Sequence, residues 1–187
     1  MNRLIILRGN SGSGKTTTAT ALRTQLANTL LVSQDVVRRD MLAEKDKPGN
    51  PTIELIETIA RFGLQHQRTV ILEGILSAAR YGDMLKTLIA EADQSLVYYY
   101  DLSFDETLRR HAHRAKAKEF GADVMRDWYL PHDRLNVPTE QLISADWSQT
   151  MVINHILTDL AGLNNTESVK PIHCQKTATR GLFSKLI

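Results

Sequence analysis

The stretch Gly9-Asn10-Ser11-Gly12-Ser13-Gly14-Lys15-Thr16 constrains this chain more than any other. It fits the pattern G-x-x-x-x-G-K-[ST] in full, and both flanks suit the motif. Upstream, Leu4-Ile5-Ile6-Leu7 is a short apolar run of the kind that forms a buried strand. Downstream, Ala19, Leu22 and Leu26 recur at helical spacing and predict a helix ending near Asn28. A strand, a glycine-rich loop and a helix in that order turn backbone N–H groups inward, towards the positive end of the helix dipole. That geometry suits a polyphosphate, so Gly9 through Thr17 (Gly9, Asn10, Ser11, Gly12, Ser13, Gly14, Lys15, Thr16 and Thr17) are the expected ATP-binding residues. Lys15 would reach the β/γ-phosphates, and the Thr16 hydroxyl would ligate Mg²⁺.

The remaining properties narrow the class. With 187 residues, 42% of them hydrophobic, the chain suits one well-buried domain and is short for two. Basic and acidic residues number 23 and 21, so global charge favours no polyanionic partner and any basic surface must be local. The single cysteine, Cys174, excludes an intrachain disulfide and a multi-cysteine metal site. No apolar run approaches the roughly 20 residues that span a bilayer. The chain enters its first strand directly, without the basic and apolar regions of a signal peptide. A cytoplasmic protein without a membrane partner is the expectation, and oligomeric state has no signature in the sequence.

Along the chain, strands are predicted at Thr29–Val32, Thr69–Leu72, Leu96–Tyr100 and Glu140–Ile143, alternating with helices. Residues 43–51 carry turn formers and two prolines and read as an exposed loop, after which Thr52 is a plausible N-cap. Further helices are expected over Tyr81–Ala92, from a capping box at Ser103 to Glu106, and from Ser148 to a stop at Gly162. Alternating strands and helices imply a parallel sheet covered on both faces, with ligands at the carboxyl ends of its strands. The loop at Gly9–Thr16, then Asp35 and Arg38, Glu73 and Asp101 each follow a strand, so they should share one rim.

Asp35 is the candidate general base, a carboxylate able to take a proton from an acceptor hydroxyl, or alternatively a helix N-cap. Arg38, three residues on, would contact the acceptor or the transferred phosphoryl group, or else pair with Asp35; Arg39 beside it reads as surface. Glu73 and Asp101 compete to hold Mg²⁺ or its waters, and Glu73 is preferred for substrate or metal-water contact. From Leu108 to Lys118 the chain is basic with no acidic residue. Arg110 and Arg114, four apart on one helix face, are the candidate working residues of a lid closing over triphosphate. Lys116, Lys118, His111 and His113 read as solvated. The aromatic segment around Trp128 and Tyr129 suits either an acceptor-pocket wall or packing at the base of the lid.

On Gly9–Thr16 and Asp35-x-x-Arg38, the chain resembles P-loop small kinases of the nucleoside monophosphate kinase-like fold. Within them it is similar to the branch holding polynucleotide kinases, zeta toxins and chloramphenicol phosphotransferases, over about residues 2–160. The resemblance implies an α/β three-layer P-loop NTPase fold, with a five-stranded parallel sheet of order 2-3-1-4-5 and a small basic lid over about residues 104–134. It gives Asp35 the base role, Arg38 the contact to the reacting phosphate, and Arg110 and Arg114 the lid arginines. The domain would span residues 1–163, with 164–187 a weakly structured tail or short docked helix. The expected activity is transfer of the ATP γ-phosphoryl group, with Mg²⁺, to a hydroxyl of a small-molecule or nucleotide-like acceptor. A zeta-toxin-like nucleotide-sugar kinase, a polynucleotide 5′-hydroxyl kinase and a regulatory switch with weak ATPase remain alternatives; a nucleic-acid partner is not favoured.

Overall fold

The computed structural model describes residues 1–112 and 121–166 of the chain. In order, its elements are β1 (Arg3–Gly9), α1 (Lys15–Gln25), β2 (Thr29–Ser33), a π-helical turn (Val36–Met41), α2 (Thr52–Gln65), β3 (Thr69–Gly74) and α3 (Ala78–Glu91). They continue with β4 (Gln94–Tyr100), α4 (Phe104–Ala112), α5 (Ala122–Trp128), β5 (Glu140–Ile143) and α6 (Gln149–Thr166). The five strands form one parallel sheet in the order β2-β3-β1-β4-β5. Both the fold class and this strand order agree with the sequence expectation.

Strand parity explains the three layers, because successive side chains point to opposite faces. Leu4, Ile6, Val70, Leu72 and Val97 pack with Ile56, Ala60 and Leu64 of α2 and Leu85 and Leu88 of α3. Ile5, Leu7, Ile71, Tyr98 and Tyr100 pack with Ala19 and Leu22 of α1 and Val152, Ile156 and Leu160 of α6. Strands buried on both faces read as unbroken apolar runs, as β1 and β3 do.

Several local expectations are corrected. Thr52 is fully buried inside the first turn of α2, and Asn50 does the capping: its Oδ1 accepts the Thr52 N–H at 3.0 Å. At Ser103 half of the capping box forms. The Ser103 hydroxyl accepts the Glu106 N–H at 3.2 Å, but the Glu106 carboxylate turns to Arg109 and Arg110 instead of back to the cap. Ser148 does cap α6, taking the Met151 N–H at 3.2 Å, yet the helix runs through Gly162 to Thr166. The structure of the tail beyond Thr166 lies outside the described residues. The 43–51 segment is the largely exposed loop expected, and it is pinned at Asp46. Its Asp46 carboxylate accepts from Arg80 at 3.0 Å and from the Tyr81 hydroxyl at 3.1 Å, and Arg80 also donates to the Asp46 carbonyl at 3.1 Å.

Candidate functional site

The turn from β1 into α1 depends on glycine at two close approaches. Gly9 has φ +142°, and a Cβ there would lie 2.9 Å from the Cβ of Tyr100. Gly12 has φ +84°, and a Cβ would lie 2.5 Å from the Thr107 carbonyl oxygen, so α4 abuts the loop directly. Two polar clasps hold the loop. The Asn10 side chain brackets Leu130, donating to its carbonyl and accepting its N–H, both at 2.8 Å. The Tyr100 hydroxyl donates to Thr18 Oγ1 at 2.8 Å, and burial pushes that phenol up to about 12. Lys15, buried at the base of the loop, donates from Nζ to the Asn10 carbonyl at 2.8 Å and to Ser13 Oγ at 3.1 Å.

Parallel register sets Glu73 beside this loop. Glu73 pairs with Leu7 of β1 and Ser33 of β2, so the end of β3 lies between them. Its Oε2 accepts the Thr16 hydroxyl at 3.1 Å, and its Oε1 accepts the Ser33 hydroxyl. Asp101 is elsewhere, bonded to a ring nitrogen of His132 at 2.8 Å and accepting from Arg134 at 3.0 Å. Of the two competing acidic residues, the fold brings Glu73 to Thr16.

Thr16, Lys15 and Glu73 line a cavity of 610 Å³ together with Asp35, Arg38, Arg39, Lys45 and Trp128. The backbone of Asp35 is right-handed helical and its side chain caps nothing; its Oδ1 instead accepts Arg38 Nη2 at 3.0 Å and lies 3.4 Å from Arg39 Nε. The N-cap alternative is therefore corrected, and the Asp35–Arg38 ion pair exists. Arg39, expected at the surface, belongs to the cavity wall, with its guanidinium 5.6 Å from the centre of the Trp128 ring. The aromatic segment divides its work. Trp128 lines the cavity, whereas the Tyr129 hydroxyl donates to the Leu102 carbonyl at 2.9 Å and its ring meets Phe104 edge-on.

A second cavity of 440 Å³ lies on the other side of the loop, lined by Gly14, Thr17, Arg110, Trp147 and Gln149 among others. Arg110 donates to the Ser13 carbonyl and to the Ala145 carbonyl, each at 3.1 Å, joining α4 to the P-loop and to the turn after β5. Its charge is compensated by Glu106, which lies just before the basic stretch and also pairs with Arg109. Those two guanidiniums hold the Glu106 carboxyl down at about 2. His111 is buried, contrary to the solvated expectation. Arg114, His113, Lys116 and Lys118 lie outside the described residues, so the expected Arg110–Arg114 pair is described for Arg110 alone.

Arg8 went unnoticed in the sequence. It is fully buried at the end of β1, donating to the Leu76 carbonyl, to Asp133 and to Glu140, each at 3.0 Å, with Tyr99 beneath its guanidinium. Asp133 in turn accepts the Ala78 N–H at 2.9 Å, and Glu140 accepts the Leu135 and Asn136 N–H groups at 2.9 Å. This cluster ties the β3–α3 connection to the segment leading into β5. A charged residue ending an apolar strand was the available signal, but both partners are more than 120 positions away.

The family described as AAA domain matches residues 4–129. Among solved structures, a gluconokinase from Sinorhizobium meliloti superposes with a TM-score of 0.64 at 15% identity, covering 89% of this chain and 97% of its own. The Mycobacterium tuberculosis APS kinase in complex with AMPPNP and APS superposes with a TM-score of 0.63 at 16% identity, covering 86% and 98%. A shikimate kinase from Aquifex aeolicus gives a TM-score of 0.52 at 18% identity, covering 87% and 98%. No curated protein matches the sequence. The neighbours share the P-loop kinase fold. No helix among the described residues is long and apolar enough to cross a membrane.

Proposed function

The chain belongs to the AAA domain family, and on that premise we propose that it is an ATP-dependent phosphotransferase acting on a hydroxyl of a small-molecule or nucleotide-like acceptor. One observation carries the reading: the phosphate loop and the Asp35 carboxylate line the same cavity, with Glu73 between strand ends beside Thr16. In this reading residues 1–163 form the catalytic domain, with a basic lid over about 104–134. The P-loop amides from Gly9 to Thr17 and Lys15 bind the triphosphate. The second cavity, between Arg110 and Trp147, takes the nucleobase. Asp35 orients the acceptor hydroxyl and takes its proton as the oxygen attacks the γ-phosphorus. The bond from that phosphorus to the β-phosphate oxygen breaks, and ADP leaves.

Arg38 contacts the migrating group or the acceptor, and Arg110 with Arg114 stabilises charge on the phosphates. Thr16, Ser33 and Glu73 offer hydroxyl and carboxylate oxygens beside Lys15, the hard donor set Mg²⁺ accepts alongside water and phosphate oxygens. The ion would supply charge neutralisation at the β- and γ-phosphates. A nucleotide-driven switch needs no further charged side chains in the cavity of the loop, and Asp35, Arg38 and Arg39 there favour transfer. The test is ADP release from ATP across a panel of hydroxyl-bearing metabolites and 5′-hydroxyl oligonucleotides. Stimulation by at least one acceptor is expected; turnover indifferent to every acceptor would favour the switch.

A further inference from the structure

We infer that the acceptor carries an anionic group, a phosphate or a carboxylate, and that the guanidinium of Arg39 beside Trp128 binds it. This deepens the phosphotransfer reading and rests on it. Helical spacing is the local cause. Positions three and four residues beyond Asp35 both face it, which puts two consecutive arginines against one carboxylate, Arg38 Nη2 at 3.0 Å and Arg39 Nε at 3.4 Å, both from the same Oδ1 of Asp35. One carboxylate cannot balance two cations, and it balances neither once it has taken a proton.

The other cations of this wall are committed differently. Arg38 also donates to the Glu44 carbonyl at 3.1 Å. Arg80 spends Nε on Ser77 and both terminal nitrogens on Asp46, which makes it a strut for the 43–51 segment. Arg39 makes no hydrogen bond among the described residues, and its Nε, like that of Arg38, is buried without one. About a third of its side chain is exposed (35%), with the Trp128 ring to one side. Lys45 lines the same cavity on the exposed segment.

A guanidinium fork with unspent terminal donors suits bidentate pairing to a planar carboxylate or a phosphate. A neutral acceptor filling the cavity would strip water from those donors without replacing it, and a cationic one would meet Arg38, Arg39 and Lys45 together. The further carboxylates lining this cavity besides Asp35 and Asp46 are Glu73, which accepts the Thr16 and Ser33 hydroxyls, and Asp127, which is exposed.

The experiment uses the full chain saturated with AMPPNP and Mg²⁺, so that added anions cannot enter the triphosphate site. Inorganic phosphate and acetate are titrated separately while thermal stability is followed. Saturable stabilisation by at least one anion is expected, with phosphate or acetate preference distinguishing the two chemistries. Arg39→Gln should weaken it by roughly tenfold or more, as loss of a charged hydrogen-bond partner does, while AMPPNP affinity stays within about twofold. Arg23→Gln, on the exposed side of α1, should change neither.

No saturable anion effect, or an undiminished one in Arg39→Gln, overturns the inference. So does a tenfold loss of AMPPNP affinity in Arg39→Gln with anion binding intact, which would make Arg39 a nucleotide contact. Neutral polyols stimulating ADP release as well as their phosphorylated or carboxylated counterparts would overturn it too, leaving phosphotransfer standing. Failure of the wild-type chain to bind AMPPNP would bring down the phosphotransfer reading itself.

Discussion

At the scale of single residues, the structure distinguishes side chains that local spacing treats alike. Arg38 and Arg39 are neighbours in sequence, yet one bonds a backbone carbonyl and the other faces a tryptophan. Glu73 and Asp101 both end strands, yet only Glu73 meets Thr16. Two predictions belong here. Lys15→Ala should abolish stabilisation of the fold by ATP, measured as the shift in melting temperature on adding nucleotide, because the loop loses its cation. An unchanged shift would remove Lys15 from the site. Asp35→Asn should leave nucleotide affinity intact and slow transfer by about 10²-fold or more, as loss of a general base does. A full transfer rate would reduce Asp35 to a partner for Arg38 and Arg39. Gly9 to Thr16 is local and complete in the sequence, whereas the place of Arg39 beside Trp128 joins residues far apart in the chain, which side-chain periodicity does not encode.

At the scale of elements, helix ends show where propensity was overruled. Thr52 has the right chemistry for a cap, but the chain enters α2 one turn position earlier, and Asn50 takes the free N–H. Asn50→Ala should cost about 1 kcal/mol of stability, the usual cost of a lost cap, read from the urea midpoint. A shift near zero would mean that solvent or Pro51 geometry satisfies the helix end. In α4, Glu106 serves Arg109 and Arg110 in place of the cap. Its carboxyl titrates in the folded chain at about 2, against an ordinary 4.5. A depressed carboxyl stabilises the fold fully above its ordinary value, and that contribution disappears as pH falls from 4.5 towards 2. The stability gap between wild type and Glu106→Gln should therefore be flat near neutrality and close across that acidic window. A gap independent of pH throughout would refute the pairing as its source.

Across the whole molecule, the buried Arg8 cluster joins β1, the β3–α3 connection and β5, and so sets the spacing of the segments that carry Ile75 and Leu130 into the cavity wall. Removing one member of such a cluster leaves buried charges without a counter-ion. Arg8→Met should destabilise the fold by about 3–5 kcal/mol in denaturant unfolding, and a loss well under 1 kcal/mol would show the cluster to be well hydrated. By itself the sequence determined the strand–loop–helix at the start, the buried strands and the two-faced sheet, because apolar period and glycine placement act between near neighbours. The strand order came from family resemblance and not from periodicity. Only the tertiary structure decided which carboxylate each arginine meets, that residues 43–51 are strapped to α3, and that Trp128 walls the cavity while Tyr129 packs. Those outcomes depend on register and on loops closing over long separations, where many partners of equal chemistry compete and only packing selects among them.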